Sequence, residues 1–240
     1  MANKIKPKQK KVENVGFDVQ LTKAEAFFEK NGKLIIGIIV AIIIIVLCLL
    51  GIKKCKASEE EEAQNAIALC QQSFAKQDFE KALKGDGAQS KGFIKIIDEY
   101  SGTKTANLAK IYAAICVLQN DTTASQKTFD EAIKYLKDFD VQDDNTISAA
   151  AIAMLGNCLV SKNDKAGGAE KLVEAAEKAN NEALSPLFLI QAGEIYEEMK
   201  QNDKALELYE KIKNDYPQSP VSLGTDPTQN IDVLIERVKK

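Results

Sequence analysis

Five cysteines, at positions 48, 55, 70, 116 and 158, are the only nucleophiles of note in a 240-residue chain that contains no histidine. Without His the usual general base and the commonest metal ligand are both missing, so Ser-His-Asp and Cys-His mechanisms and His-containing zinc sites are excluded. Arg237 is the single arginine among 32 basic residues, which leaves little for bidentate capture of phosphate. Cys70, Cys116 and Cys158 fall within apolar helical patterns, where a thiol packs as a small hydrophobe. Equivalent positions of stacked helix pairs sit roughly 10 Å apart, too far for a disulfide. Cys55 is the thiol expected at the surface.

Three loops resemble chemical sites only weakly. Gly85-Asp-Gly87 follows no strand and lacks the lysine of a phosphate loop, so it reads as a helix break. Asp138, Asp140, Asp143 and Asp144 lack the glycine and terminal glutamate of a calcium loop. Asp121-Thr-Thr123 matches a bacterial O-glycosylation acceptor over three residues. No cofactor, metal, nucleic acid or small-molecule substrate is expected.

The elements around these residues are more telling. Leu34–Ile52, LIIGIIVAIIIIVLCLLGI, has no charged or amide side chain. At helical rise it covers about 28 Å, close to the hydrocarbon thickness of a bilayer. A transmembrane helix is expected over 34–52, retained rather than cleaved, because no small-x-small site follows it. Within it Gly37 and Ala41 could let a neighbouring membrane helix approach.

Charge is divided around this run. Residues 1–33 hold eight Lys against four acids, and residues 53–240 hold 24 basic residues against 31 acids. The nearest flanks tie, but the short basic N-terminal segment as a whole favours a cytoplasmic N-terminus and a periplasmic C-terminal domain. Residues 1–33 are expected as a basic arm and a short amphipathic helix. That helix would start at the capping box Thr22–Glu25 and end near Asn31-Gly32. Contact of the arm with membrane lipid is a further expectation. Residues 53–62 read as a charged linker.

From Ala63 to the C-terminus the pattern predicts an all-α repeat domain, residues 63–240. Small residues recur at Ala114, Gly156 and Gly193 in aligned helical segments, each followed by a polar turn and a second helix. The last unit runs Gly193, Tyr196, Ala205, Tyr209, Pro217 and resembles the tetratricopeptide repeat. In such a pair the small residues permit close helix approach, the aromatics fill the adjoining groove and the proline stops the second helix. Gly156 and Gly168 match in the preceding unit. Ala114 and Ala132 are eighteen apart, implying about six extra residues near Asp121–Lys127. Ala82 is the small residue of a first unit broken at Gly85-Asp-Gly87. Asp226–Gln229 is expected to cap a final helix. Ser185, placed between helices, is expected to tolerate leucine.

Ala26-Phe-Phe-Glu-Lys-Asn-Gly-Lys33 leads straight into the apolar run, with the repeats after it. This order resembles the bacterial YfgM-like family. The resemblance implies a single-pass inner-membrane protein with a periplasmic repeat domain, associated with the Sec translocon and a PpiD-like membrane chaperone. The leading reading is a non-catalytic, membrane-anchored scaffold. An adaptor of a secretion, division or envelope-assembly machine remains open, as does a tethered carboxylate or cysteine enzyme.

Overall fold

The computed structural model describes residues 15–141, 144–224 and 230–240, with side chains before Val40 described only at Lys33, Gly37 and Ile38. Every element among them is helical. The chain divides into two compact units, Met1–Ala57 and Ser58–Lys240.

Helix α1 runs unbroken from Val15 to Ala75. The helix start expected at Thr22 and the stop near Asn31-Gly32 are therefore not seen, and the charged segment 53–62 is itself helical. The reason is local: Lys, Glu and Ala between Lys53 and Ala63 are strong helix formers, and neither Gly nor Pro interrupts them.

In the second unit the end of α1 is followed by α2 (Phe79–Lys84), α3 (Phe93–Glu99), α4 (Lys104–Asn120), α5 (Gln126–Lys137), α6 (Asn145–Ser161), α7 (Lys165–Ala179), α8 (Ser185–Glu198), α9 (Asn202–Asp215) and α10 (Ile231–Val238). Helices adjacent in sequence pack on each other from α4 to α10, which is the connectivity of a helical solenoid.

Three of the within-pair turns share one geometry. Asp78, Asp164 and Gln201 each donate their N–H to the carbonyl five residues back, Ser73, Leu159 and Tyr196, at 3.0, 2.9 and 2.8 Å. The preceding residues, Gln77, Asn163 and Lys200, adopt positive φ of 62°, 68° and 60°. This is the left-handed reversal that satisfies the orphan carbonyls of a helix end. It fixes the register of all three pairs: the second-helix small residues Ala82, Gly168 and Ala205 follow the turn by the same step. Counting back equally gives Cys70, Gly156 and Gly193 on the first helices.

At these positions the helices cross closely. A Cβ on Gly156 would come within 2.9 Å of the Gly168 carbonyl, and one on Gly168 within 2.7 Å of the Gly156 carbonyl. Gly193 faces the fully buried Tyr209 ring, where a Cβ would meet Cε1 at 2.4 Å. Ala82, Ala114, Ala132 and Ala205 are fully buried, and Tyr196 is nearly so. Pro217 is exposed, two residues past the last residue of α9.

The first pair is irregular. Its second helix is split into α2 and α3 by a loop pinched at its base, where a Cβ on Gly85 would lie 2.3 Å from the Ser90 carbonyl and one on Gly92 equally near Gly85 N. The final helix α10 is capped by Asn230, whose side chain accepts from Asp232 N. The expected cap Asp226–Gln229 lies outside the described residues.

Ser185 is fully buried; its hydroxyl donates to the Ala176 carbonyl at 2.7 Å and accepts from Asn181 N. The expectation that it tolerates leucine is therefore corrected: it ties the end of α7 to the start of α8. Glu194, exposed on the same helix as Gly193, is the neutral control. Gly193→Leu should lose about 1–3 kcal/mol through overpacking against Tyr209, whereas Glu194→Leu should change stability little. Urea unfolding of both variants checks this, and equal losses would disprove the crossing.

Candidate protein-binding surface

The acidic loop residues singled out by the sequence are engaged by the backbone. Asp86 accepts from the N–H groups of Ala88, Gln89 and Ser90 at 2.8–3.0 Å and pairs with Lys81 at 3.1 Å. The Ser90 and Gln89 N–H groups, then Lys81, hold its carboxyl well below the usual range. Asp121 accepts from Thr123 Oγ1 and N, Ser125 N and the Thr128 hydroxyl, and is likewise held low, chiefly by the Thr123 hydroxyl. It shapes the turn that accommodates the extra residues between α4 and α5. Asp144 caps α6 through Thr146 N and Ile147 N. The main chain at Asp140 is clasped by Asn107 in both directions, at 2.8 and 2.9 Å, and the Asp138 carbonyl accepts from Lys110. Asp143 lies outside the described residues. Among the described residues no group of three His, Cys, Asp or Glu could hold a metal ion.

Cys70, Cys116 and Cys158 are buried and free. Burial, with a smaller contribution from Cys70, pushes the Cys116 thiol up to about 12, and burial pushes Cys158 to about 11. Neither is a nucleophile at neutral pH. Cys48 and Cys55 are exposed.

Glu60 does a job that sequence reasoning missed. From α1 it reaches the start of α4, accepting from Lys104 N at 2.7 Å, Thr105 N at 3.2 Å and Thr105 Oγ1 at 2.6 Å. Its carboxylate thus serves the unpaired N–H groups of a helix N-terminus. Burial works to raise its pKa, but the bonds from Thr105, Lys104 and Gln64 outweigh it and the pKa is lowered. Cys70 was missed as well, although its spacing to Ala82 repeats that of Gly156 to Gly168.

Beside these structural contacts lie two shallow cavities. One, of about 250 Å³, has a floor of Leu136, Phe139, Ala151 and Leu155 and a half-exposed Val141 at its edge. The other, about 210 Å³, lies at the start of α4 between Ile97, Thr103, Lys104 and Lys110. Along the first helices, Ala150, Asn157, Leu187 and Glu194 remain exposed at matching registers. These are surfaces for contact, without a convergent set of reactive groups.

Compared with known protein families, the chain matches the tetratricopeptide repeat-like domain over residues 25–154, more than half its length. The chain belongs to this family. Domains of this kind are generally non-catalytic scaffolds that bind other proteins. The match takes in the apolar run as well as the first two helix pairs, and it ends before the unit of Gly193–Pro217 whose pattern is most regular. No curated protein matches the chain.

Among the described residues no helix is long and apolar enough to cross a membrane. The run 34–52 includes Leu34, Ile35, Ile36 and Ile39, whose side chains lie outside those described. Gly37 is open, with nothing within 4 Å of a Cβ placed on it, and Ala41 is exposed.

Two measurements follow. A group whose pKa is depressed by folding contributes stability above its unfolded value, near 4 for a carboxyl, and loses it as pH falls. The advantage of the native chain over Glu60→Gln should therefore be full at neutral pH and shrink as pH drops through the lowered Glu60 pKa; urea midpoints between pH 3 and 7 test it. The fragment Ser58–Lys240 should show no fast-reacting thiol to Ellman's reagent at pH 8, and three after unfolding.

Proposed function

We propose that this protein is a membrane-anchored, non-catalytic scaffold at the bacterial inner membrane, acting as an ancillary subunit of the Sec translocon and of a periplasmic chaperone network that includes a PpiD-like partner. One observation carries the reading. Ile38, Val40, Ile42–Leu47, Leu49, Leu50 and Ile52 are each about half exposed on α1, an apolar surface left uncovered among the described residues of its own unit. A continuous patch of this kind is out of place in water and at home in a bilayer or against another apolar helix. Inclusion of the run in the family match supports treating anchor and repeats as one functional unit. The N-terminus is assigned to the cytoplasm and the repeats to the periplasm from the eight lysines of residues 1–33. Gly37 and Ala41 are the proposed contact with a neighbouring membrane helix, and the exposed repeat surface gives the second contact. Tethering raises the effective concentration of a modest binder beside its partner.

Gentle-detergent pull-downs compare three forms: the full chain, the fragment from Ser58, which keeps Glu60, and a chain whose Leu34–Ile52 is exchanged for an unrelated apolar span. Translocon or chaperone subunits should come with the full chain and be lost or weakened with the fragment. Recovery of components of a different envelope machine instead would redirect the assignment to that machine. A cysteine at Glu194 should react with an impermeant maleimide once the outer membrane alone is opened. Labelling only after inner-membrane lysis would reverse the orientation.

A further inference from the structure

Lys53, Lys54 and Lys56 follow the last apolar residue of the run, Ile52, on continuous helix. All three are exposed, and none has a charge partner among the described residues. At 100° per residue they occupy about 160° of the helix circumference. Gly37 and Ala41 fall on the opposite side by the same count. Lys33, also exposed, precedes the run, and it lies 20 residues before Lys53. That separation is about 30 Å along a helix, the spacing of the two headgroup layers of a bilayer.

We propose that Lys53, Lys54 and Lys56 form a binding surface for anionic phospholipid headgroups. This rests on the membrane reading above and adds the partner of that end of the helix. The lysine stems can lie along the apolar run while the ammonium groups reach the phosphate level. Their arc leaves the Gly37 and Ala41 side free for another helix, so lipid and protein contacts do not compete. The charge complementarity is directional. Glu59–Glu62 follow within six residues of Lys56, so an acidic protein segment docking from the aqueous side would meet four carboxylates, whereas a headgroup at the end of the apolar run meets the lysines first.

The test uses the full-length chain reconstituted into phosphatidylcholine bilayers with trace spin-labelled phosphatidylglycerol or phosphatidylcholine. The phosphatidylglycerol label should associate several-fold more strongly, since each lysine near an anionic headgroup is worth roughly fivefold at most. The preference should fall in 0.5 M salt and approach parity in Lys53→Gln/Lys54→Gln/Lys56→Gln, a variant that keeps strong helix formers and should keep its circular dichroism. A second variant, with Lys4, Lys6, Lys8, Lys10 and Lys11 changed to Gln, should retain most of the preference. Parity in the unaltered chain, a preference that survives the triple change, or one lost only with the arm lysines would each overturn the proposal. Failure of the chain to enter the bilayer at all would overturn the membrane reading and this inference with it, and is read separately by flotation.

Discussion

Two helices of a pair can cross closely only where neither backbone is held off by a side chain, and the repeat domain is organised around that limit. At Gly156 and Gly168 each backbone carbonyl occupies the place a Cβ would need, at 2.9 and 2.7 Å. At Gly193 the space is given to Tyr209, whose hydroxyl then meets Glu197 at 2.6 Å. Glu197 in turn takes both Nε and Nη2 of Arg237 from α10, at 2.9 and 2.6 Å. The only arginine in the chain thus makes the planar two-point contact that a lysine could not make. Through it the crossing of the last pair is coupled to the helix that closes the solenoid. Ile231, Leu234, Ile235 and Val238 bury the apolar side of that helix, covering what would otherwise be the exposed end of the stack.

The acidic side chains tell a complementary story. An excess of carboxylates in a protein without histidine invites a search for acid–base chemistry, yet Glu60, Asp86, Asp121, Asp144 and Asp164 all accept from backbone N–H groups at helix starts or turns. Helix N-termini carry partial positive charge and unpaired donors, so carboxylates are drawn to them. A solenoid of short helices has many such ends. The lowered pKa values of Glu60, Asp86 and Asp121 therefore mark structural capping, even though a depressed carboxyl in a loop is also how a functional acid would announce itself.

How much of this was legible in the sequence depends on whether the signal was a residue type or a conformation. The all-helical repeat architecture could be read because small residues and aromatics recur at fixed steps, and the six-residue excess between Ala114 and Ala132 correctly located an irregular turn, the one built on Asp121. The shared turn geometry was invisible. A left-handed residue is normally signalled by Gly, or by Asn as at Asn163, but Gln77 and Lys200 take the same conformation without either cue. For want of that register Cys70 was not recognised as the counterpart of Gly156. Glu60 was hidden for another reason: its partners lie 44 and 45 residues away, and nothing local distinguishes it from Glu59, Glu61 or Glu62. Ser185 failed in the opposite direction, because a serine between helices looks like solvent-facing loop until its hydroxyl is seen bridging the end of one helix and the start of the next.

The chain solves the problem of apolar surface in two incompatible ways. From Ala63 onward it spreads small and medium hydrophobes at helical intervals so that each face is covered by the next helix. Between Leu34 and Ile52 it places them on every face, so no packing of one neighbour could cover them all. The charge follows the same division: residues 58–240 carry 21 basic side chains against 31 acids, while the basic residues outnumber the acids before Ser58. A net acidic repeat domain is repelled by an anionic surface, and lysines at the end of the apolar run are attracted to it. Electrostatics therefore acts in opposite senses on the two parts of the chain. The exposed registers of the acidic part, such as Ala150, Asn157, Leu187 and Glu194, are thus better suited to a protein partner than to an anionic surface.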